Sequence, residues 1–361
     1  MKKKIALLPG DGIGPEVCAE AIKVLRAIEK KISHNFEIIE GKIGGAAWDE
    51  FGSHFPEQTK LLCKNTDAVL FGSVGGPVEE QETKKWKNCE RESILAIRKF
   101  LNLKINIRPA KIFPDLAHLS VLKKEKIPKK GLEIIVYREL SEGLYFGEHS
   151  SFEENNERKA RDICDYSEST IRFIAKFCFE AAKKSGKKIA SVDKANVLET
   201  SRLWRSIVEE VAKEFPEVQY EHWLVDNCAQ QLVKNPDWFE FILTENLFGD
   251  ILSDLVSTFA GSLGLLPSAS FSQNGFGLYE PSGGSAPKRA GQNIINPIAQ
   301  ILCVSMMLRY SFGLKKEAEK IENAIRKTIS QGYRTYDLFR DFPNEKKIGT
   351  SEMGSLICEN L

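Results

Sequence analysis

The apolar positions of this chain fall in two alternating rhythms. Short, mostly unbroken apolar runs occur at Lys4–Leu8, Asp67–Phe71, Ile134–Tyr137 and Lys188–Val192, as expected of strands covered on both faces. Between them, longer stretches follow helical spacing. Val17, Ala21, Ile22, Leu25, Ile28 and Ile32 recur at helical intervals, and Pro15 suits the first turn of that helix. Glu92–Phe100, Ser167–Ser185, Thr200–Glu214, Asn296–Phe312 and Lys315–Gln331 read as further helices. Strands alternating with helices predict an α/β chain with a mainly parallel sheet. His149–Arg161 breaks the pattern. It is polar and charged almost throughout and predicts an exposed arm or loop.

Composition narrows the picture. A chain of 361 residues, 42% hydrophobic, can bury a large core, and such a length suggests about two domains. The net charge is +1, from 51 basic and 50 acidic residues. That argues against a nucleic-acid-binding surface and leaves room for a small basic pocket. Eight cysteines (Cys18, Cys63, Cys89, Cys164, Cys178, Cys228, Cys303, Cys358) are scattered without a C-x-x-C, which suits reduced thiols in a cytoplasm. The first residues, MKKK, run straight into an apolar strand without a cleavable-signal pattern. No apolar stretch approaches the ~18 residues of a membrane span, so neither nucleic acid nor membrane is an expected partner.

The stretch Thr244–Asp254, TENLFGDILSD, carries the clearest chemistry. With a helix from about Gly249, Asp250 and Asp254 lie one turn apart on one face. Like charges at that spacing repel unless a cation lies between them. A hard divalent ion such as Mg²⁺ suits two carboxylates; water-facing aspartates on an amphipathic helix are the plain alternative. Arg98, Arg108 and Arg138 fall beside strand ends and turns, and guanidinium forks bind carboxylates bidentately. Lys194 follows an apolar strand, where α/β crevices form, and nearby cations or a metal would lower its pKa toward a base. Asp226 ends the run HWLVD and offers a third carboxylate, and Tyr145 in SEGLYFGE is a candidate proton donor. The opening Gly10-Asp11-Gly12-Ile13-Gly14 is not a dinucleotide fingerprint, because the third glycine of G-x-G-x-x-G would fall on Pro15. That loop either carries a ligand at a helix N-terminus or is a plain turn.

Taken in order, LLPGDGIGPEV, GSVGGP, NIRPAK, RELSEGLYFG, SVDKANVLETSRLWR, VDN, TENLFGDILSD and EPSGGSAPKRAGQNIINPIAQIL resemble the isocitrate/isopropylmalate family of β-decarboxylating dehydrogenases over nearly the whole chain. The resemblance implies a two-domain, mainly parallel α/β/α sandwich that is not Rossmann-like. Residues 1–100 plus 258–361 would form a discontinuous cofactor-side domain. Residues 101–257 would form a substrate, metal and dimerisation domain, with an intersubunit arm at about 145–165. The family works as a homodimer with shared sites. Arg98, Arg108 and Arg138 would clamp the substrate carboxylates. Asp226, Asp250 and Asp254 would hold Mg²⁺ or Mn²⁺, with Asp226 also touching substrate. Lys194 would take the hydroxyl proton and Tyr145 would protonate the enol left by CO₂.

For the substrate, the resemblance places Ile94, Leu95 and Val197 around an isopropyl group. Apolar side chains would leave a third carboxylate unpaired. Isopropylmalate therefore leads, with oxidative decarboxylation in leucine biosynthesis as the activity. Homoisocitrate, tartrate- or malate-type acids and isocitrate stay open. The cofactor is NAD(P), with Ile13, Pro77, Glu90, Gly284, Ser285, Ala286, Pro287, Lys288, Arg289, Ala290, Gly291, Asn296, Tyr336 and Arg340 as the expected contacts. Family members using NAD usually carry Asp where this chain has Lys288, a carboxylate that holds the adenosine ribose. With Arg289, Tyr336 and Arg340 nearby in the family arrangement, charge favours a 2′-phosphate, and hence NADP. Two rival readings are a non-catalytic regulatory subunit and a metal-dependent phosphate enzyme. The first would shed site residues that are present here, and the second lacks a G-x-x-x-x-G-K-[ST]. Glu142, where the family often has glycine, has no evident role in the sequence.

Overall fold

The computed structural model describes residues 2–361 and divides into two compact units. Among the described residues the first comprises residues 2–102, Asp115–Leu119 and Ala260–Leu361. Its strands lie in the order Asn35–Glu40, Lys2–Gly10, Ala68–Ser73, Gly277–Pro281, Pro267–Ser272. The first four are mutually parallel, and the last pair is an antiparallel hairpin. Ile5–Gly10 and Ala68–Ser73 are buried at every position, which is why they read as unbroken apolar runs.

Helix Ile298–Tyr310 packs on this sheet and against helices Gly14–Glu29 and Lys315–Ser330. It is apolar nearly all round and accordingly buried. Fully covered side chains such as Ile298, Ile301 and Leu308 contribute roughly 1.5–3 kcal/mol each. The first helix stops at Glu29, one turn short of the expected Ile32. The glycine loop before it is a junction. Gly12 sits at φ +57, where an added Cβ would lie 2.0 Å from the Ser285 carbonyl. Asp11 accepts the N–H groups of Gly45, Ala46 and Gly75 at 2.8–3.1 Å.

The second unit comprises Leu103–Pro114 and Ser120–Phe259. Its strands lie in the order Leu103–Ile112, Leu132–Glu139, Phe241–Thr244, Ile189–Asp193, Tyr220–Leu224. The first pair is antiparallel and the rest parallel. Helix Glu168–Ser185 lies over three of these strands, and helix Asn246–Ser257 also packs on three.

Several elements differ from the sequence reading. Helix Asn246–Ser257 starts three residues before Gly249. The polar arm is exposed at nearly every position, as expected, and is ordered as an antiparallel hairpin of His149–Glu154 with Glu157–Asp162. Glu92–Phe100 is not one regular helix. Arg91–Leu95 forms a wider π turn, with the Ser93 hydroxyl on the Cys89 carbonyl, before Ala96–Phe100 resumes α geometry. Asp226 belongs to the first turn of helix Val225–Lys234, just past the strand. Among the described residues no helix is long and apolar enough to cross a membrane.

Candidate active site

Each unit gathers a set of the sequence-predicted residues. In the second unit Arg108 and Arg138 stand on adjacent antiparallel strands. Helix Asn246–Ser257 crosses them closely because residue 249 is glycine: a Cβ there would lie 2.5 Å from Arg138 Cγ. The helix presents Asn246, Asp250, Ser253 and Asp254 to the two arginines. Arg138 is buried and donates to Asn246 Oδ1 at 2.8 and 3.1 Å, and to Asp250 Oδ1. Arg108 donates to Ser253 Oγ at 2.9 Å and reaches Asp250 and Asp254 at 3.4 Å each. The Tyr145 hydroxyl donates to the other oxygen of Asp250 at 2.8 Å, and its ring centroid lies 5.6 Å from the Arg138 guanidinium carbon.

Burial raises the Tyr145 phenol above its ordinary pKa, and the hydrogen bond to Asp250 adds to this; the two arginines pull the other way. The net effect keeps the phenol protonated. Asn246 and Ser253 were missed in the sequence. The signal was there: Asn246, Asp250 and Ser253 recur at helical spacing on one face.

Lys194 follows strand Ile189–Asp193 and donates to Asp226 Oδ1. That bond holds the Asp226 carboxyl below its usual range. The turn carrying Lys194 is fixed by fully buried Asp193, which accepts from Arg205 Nε and Nη2 at 2.8–2.9 Å and from the Ala195 N–H at 2.9 Å. Asp193 and Arg205 were not singled out in the sequence either. Val197, on the same stretch, is exposed.

Asp250 and Asp254 supply hard oxygen donors one turn apart, which fits a divalent cation. Within one chain Asp226 does not join them: among the described residues no group of three or more His, Cys, Asp or Glu is placed to hold a metal ion.

In the first unit Arg98 donates to Glu280 Oε1 at 2.5 Å, and its buried Nε has no hydrogen-bond partner among the described residues. Ile94 and Leu95 ride on the π turn just before it, with Leu95 exposed. A cavity of about 300 Å³ is lined by six of the expected cofactor residues, Ile13, Gly284, Ala286, Arg289, Asn296 and Tyr336. Ala286 there adopts φ +37, rare for a residue with a side chain. Arg289 stacks 4.6 Å over the Tyr336 ring and donates to its hydroxyl.

The cavity also takes in Ser262, Gly264 and Asp337, which the sequence did not single out. Asp337 is its one acid, and that carboxylate already accepts from Ser262, Asn296 and Thr335. Pro77, Glu90, Ser285, Pro287, Lys288, Ala290, Gly291 and Arg340 do not line the cavity. The exposed Lys288 ammonium is turned to Glu79, and Arg340 folds back on the carbonyls of Asp337 and Phe339.

Comparison with known proteins accords with this arrangement. Residues 4–357 match the family described as isocitrate/isopropylmalate dehydrogenase. The 3-isopropylmalate dehydrogenase of Thermotoga maritima is 52% identical, with 99% of each chain covered. That of Geobacter metallireducens is 51% identical over the same shares. Among solved structures, the isocitrate dehydrogenase of Methylococcus capsulatus superposes with a TM-score of 0.82 at 31% identity, covering 99% of both chains. A β-decarboxylating dehydrogenase of Thermococcus kodakarensis gives 0.80 at 37% identity, covering 99% of this chain and 96% of that one. This chain belongs to the isocitrate/isopropylmalate dehydrogenase family.

Proposed function

We propose that this chain oxidatively decarboxylates 3-isopropylmalate to 4-methyl-2-oxopentanoate and CO₂, the leucine-biosynthetic step, with NADP⁺ as the preferred hydride acceptor. The observation that carries this reading is the cluster of Arg108, Arg138, Tyr145, Asp250 and Asp254, in which both arginines and the tyrosine meet Asp250 and Arg108 also meets Asp254. It combines what the reaction needs: guanidinium forks for a dicarboxylate, a carboxylate pair for a divalent ion, and an acid that stays protonated.

Asp250 and Asp254 would hold Mg²⁺ or Mn²⁺, with Asp226 contributed by a second copy of the chain. The ion, when bound, polarises the substrate's hydroxyl oxygen and later its ketone. Lys194, released from Asp226 and in its neutral amine form, would accept the hydroxyl proton. Tyr145 donates its phenolic proton to the carbon that loses CO₂, and Asp250 orients it. By the family resemblance Arg98, with an unsatisfied buried Nε, would also bind a substrate carboxylate. The family resemblance would set Ile94, Leu95 and Val197 toward an alkyl group in preference to a third carboxylate.

The cofactor choice rests on the first-unit cavity. Its acid, Asp337, is committed to three donors and is not free to hold a ribose. Arg289 pairs with no carboxylate among the described residues and lies against Tyr336. A cation beside a phenol suits a 2′-phosphate better than a bare ribose. The test is turnover with Mg²⁺, followed at the reduced-cofactor absorbance, with isopropylmalate and isocitrate each offered with NAD⁺ and NADP⁺. Isopropylmalate with NADP⁺ is expected to lead. A preference for isocitrate would overturn the substrate reading, and a strong preference for NAD⁺ the cofactor reading.

A further inference from the structure

The stretch from Thr335 to Ile348 carries Tyr336 and Arg340, yet its regular structure is confined to the two-residue strand Lys346–Lys347. Something else must hold it. The side chain of Glu345 is only 5% exposed, an unusual place for a carboxylate in a loop. One of its oxygens accepts the backbone N–H of Arg340 at 2.7 Å and that of Phe342 at 3.4 Å. The other lies 3.3 Å from Arg334 Nε and 3.8 Å from His118 Nε2.

The far end of the clamp is rigid. Arg334 is itself buried and donates to the carbonyls of Ile329 and Tyr333 at 2.6 and 2.9 Å. His118 meets the Phe342 ring edge-on at 5.0 Å. The following turn closes through Glu345 N–H on the Phe342 carbonyl at 2.9 Å, and Asp341, just ahead of it, sits at φ +60. A buried carboxylate is costly unless paired and hydrogen-bonded. Here every partner lies in the segment that bears Arg340 or in the frame behind it.

We propose that Glu345 is a positioning residue for cofactor recognition: by clamping the Arg340–Phe342 turn onto Arg334, it fixes where the Arg340 guanidinium meets the cofactor's 2′-phosphate. This rests on the NADP reading. Arg340 is exposed and its guanidinium donates to the carbonyls of Asp337 and Phe339, so its position depends on the backbone that carries it. Glu345 itself touches no cofactor. It acts through the N–H of Arg340.

Calorimetric titration of the full-length protein with 2′,5′-ADP and with 5′-AMP separates a positioning role from a merely structural one. Glu345→Gln should weaken 2′,5′-ADP about tenfold, the size of one lost charged contact, while 5′-AMP stays within about twofold. KM for NADP⁺ should rise in parallel with little change in kcat. Should Glu345→Gln not fold, Glu345→Asp keeps the charge beside Arg334 but falls one methylene short of the Arg340 N–H. It should show the same selective loss, about threefold. If both ligands weaken alike, or neither weakens, the clamp has no part in phosphate recognition. If wild type binds 2′,5′-ADP no better than 5′-AMP, the NADP reading itself fails, and this inference with it.

Discussion

At the scale of single residues, the second-unit cluster depends on charges that neutralise one another. Asp254 is the more exposed of the two helix aspartates, and its one ion pair is with Arg108 at 3.4 Å. Asp254→Asn should therefore fold normally and fail through weak metal binding. Its activity is expected to fall at least a hundredfold at ordinary Mg²⁺, in line with the several kcal/mol a catalytic metal supplies. Near-normal turnover with the metal affinity unchanged would remove Asp254 from the metal site.

Glu245, just ahead of that helix, makes a different prediction. Burial is the main cause that raises its carboxyl from the ordinary 4.5 to about 7, against a hydrogen bond from Ser201 and with Asp193 and Glu139 adding to the rise. The folded state holds this proton more tightly than the unfolded chain. The group's contribution is complete below pH 4.5 and is lost as pH climbs through 7. The loss is about 3 kcal/mol at most. Glu245→Gln should remove this part of the pH dependence, so the gap between variant and wild type in denaturant unfolding should shift in the variant's favour from pH 4.5 to pH 8. A constant gap would mean that Glu245 titrates normally.

At the scale of elements, Glu142 shows what the linear sequence concealed. Its carboxylate accepts from the Ser167 N–H, the Ser167 hydroxyl and the Thr170 hydroxyl at 2.7–2.8 Å, so it caps helix Glu168–Ser185 from 25 residues away. A negative charge at a helix N-terminus is favourable. Glu142→Ala should lower stability by about 2 kcal/mol, visible as a drop of several degrees in the melting temperature. A melt unchanged to within a degree would leave the cap without energetic weight.

Long-range partners of this kind are what periodicity cannot supply. The apolar rhythm does locate the buried strands Ile5–Gly10 and Ala68–Ser73 and the amphipathic helix Glu168–Ser185, because burial on one or two faces is written into consecutive positions. It misses the π turn at Arg91–Leu95, whose register depends on Ser93 reaching the Cys89 carbonyl. It also misses Asp337, a cavity residue recognisable only once Ser262 and Asn296 are folded against it. Asp250, Asp254 and Tyr145 stand out in the sequence as candidates because they lie in short contiguous motifs.

At the scale of the whole molecule, the proposed shared site predicts that one chain supplies Lys194 and Asp226 to another. In one chain the Lys194–Asp226 pair is satisfied by itself, and no third carboxylate joins Asp250 and Asp254. The exposed hairpin His149–Asp162 and the exposed Val197 and Leu198 beside Lys194 suit burial against a second copy. A twofold dimer presents the same patch from both partners, so each would lend Lys194 and Asp226 to the other's Asp250 and Asp254. Lys194→Met and Asp250→Asn, each inactive alone, should then complement when unfolded together and refolded as a mixture. In a hybrid dimer one site would inherit both defects and the other neither. Random pairing at equal amounts should restore about one quarter of wild-type activity. If Lys194 instead served the site of its own chain, every site in every hybrid would carry one defect, and the mixture would stay as inactive as its parents.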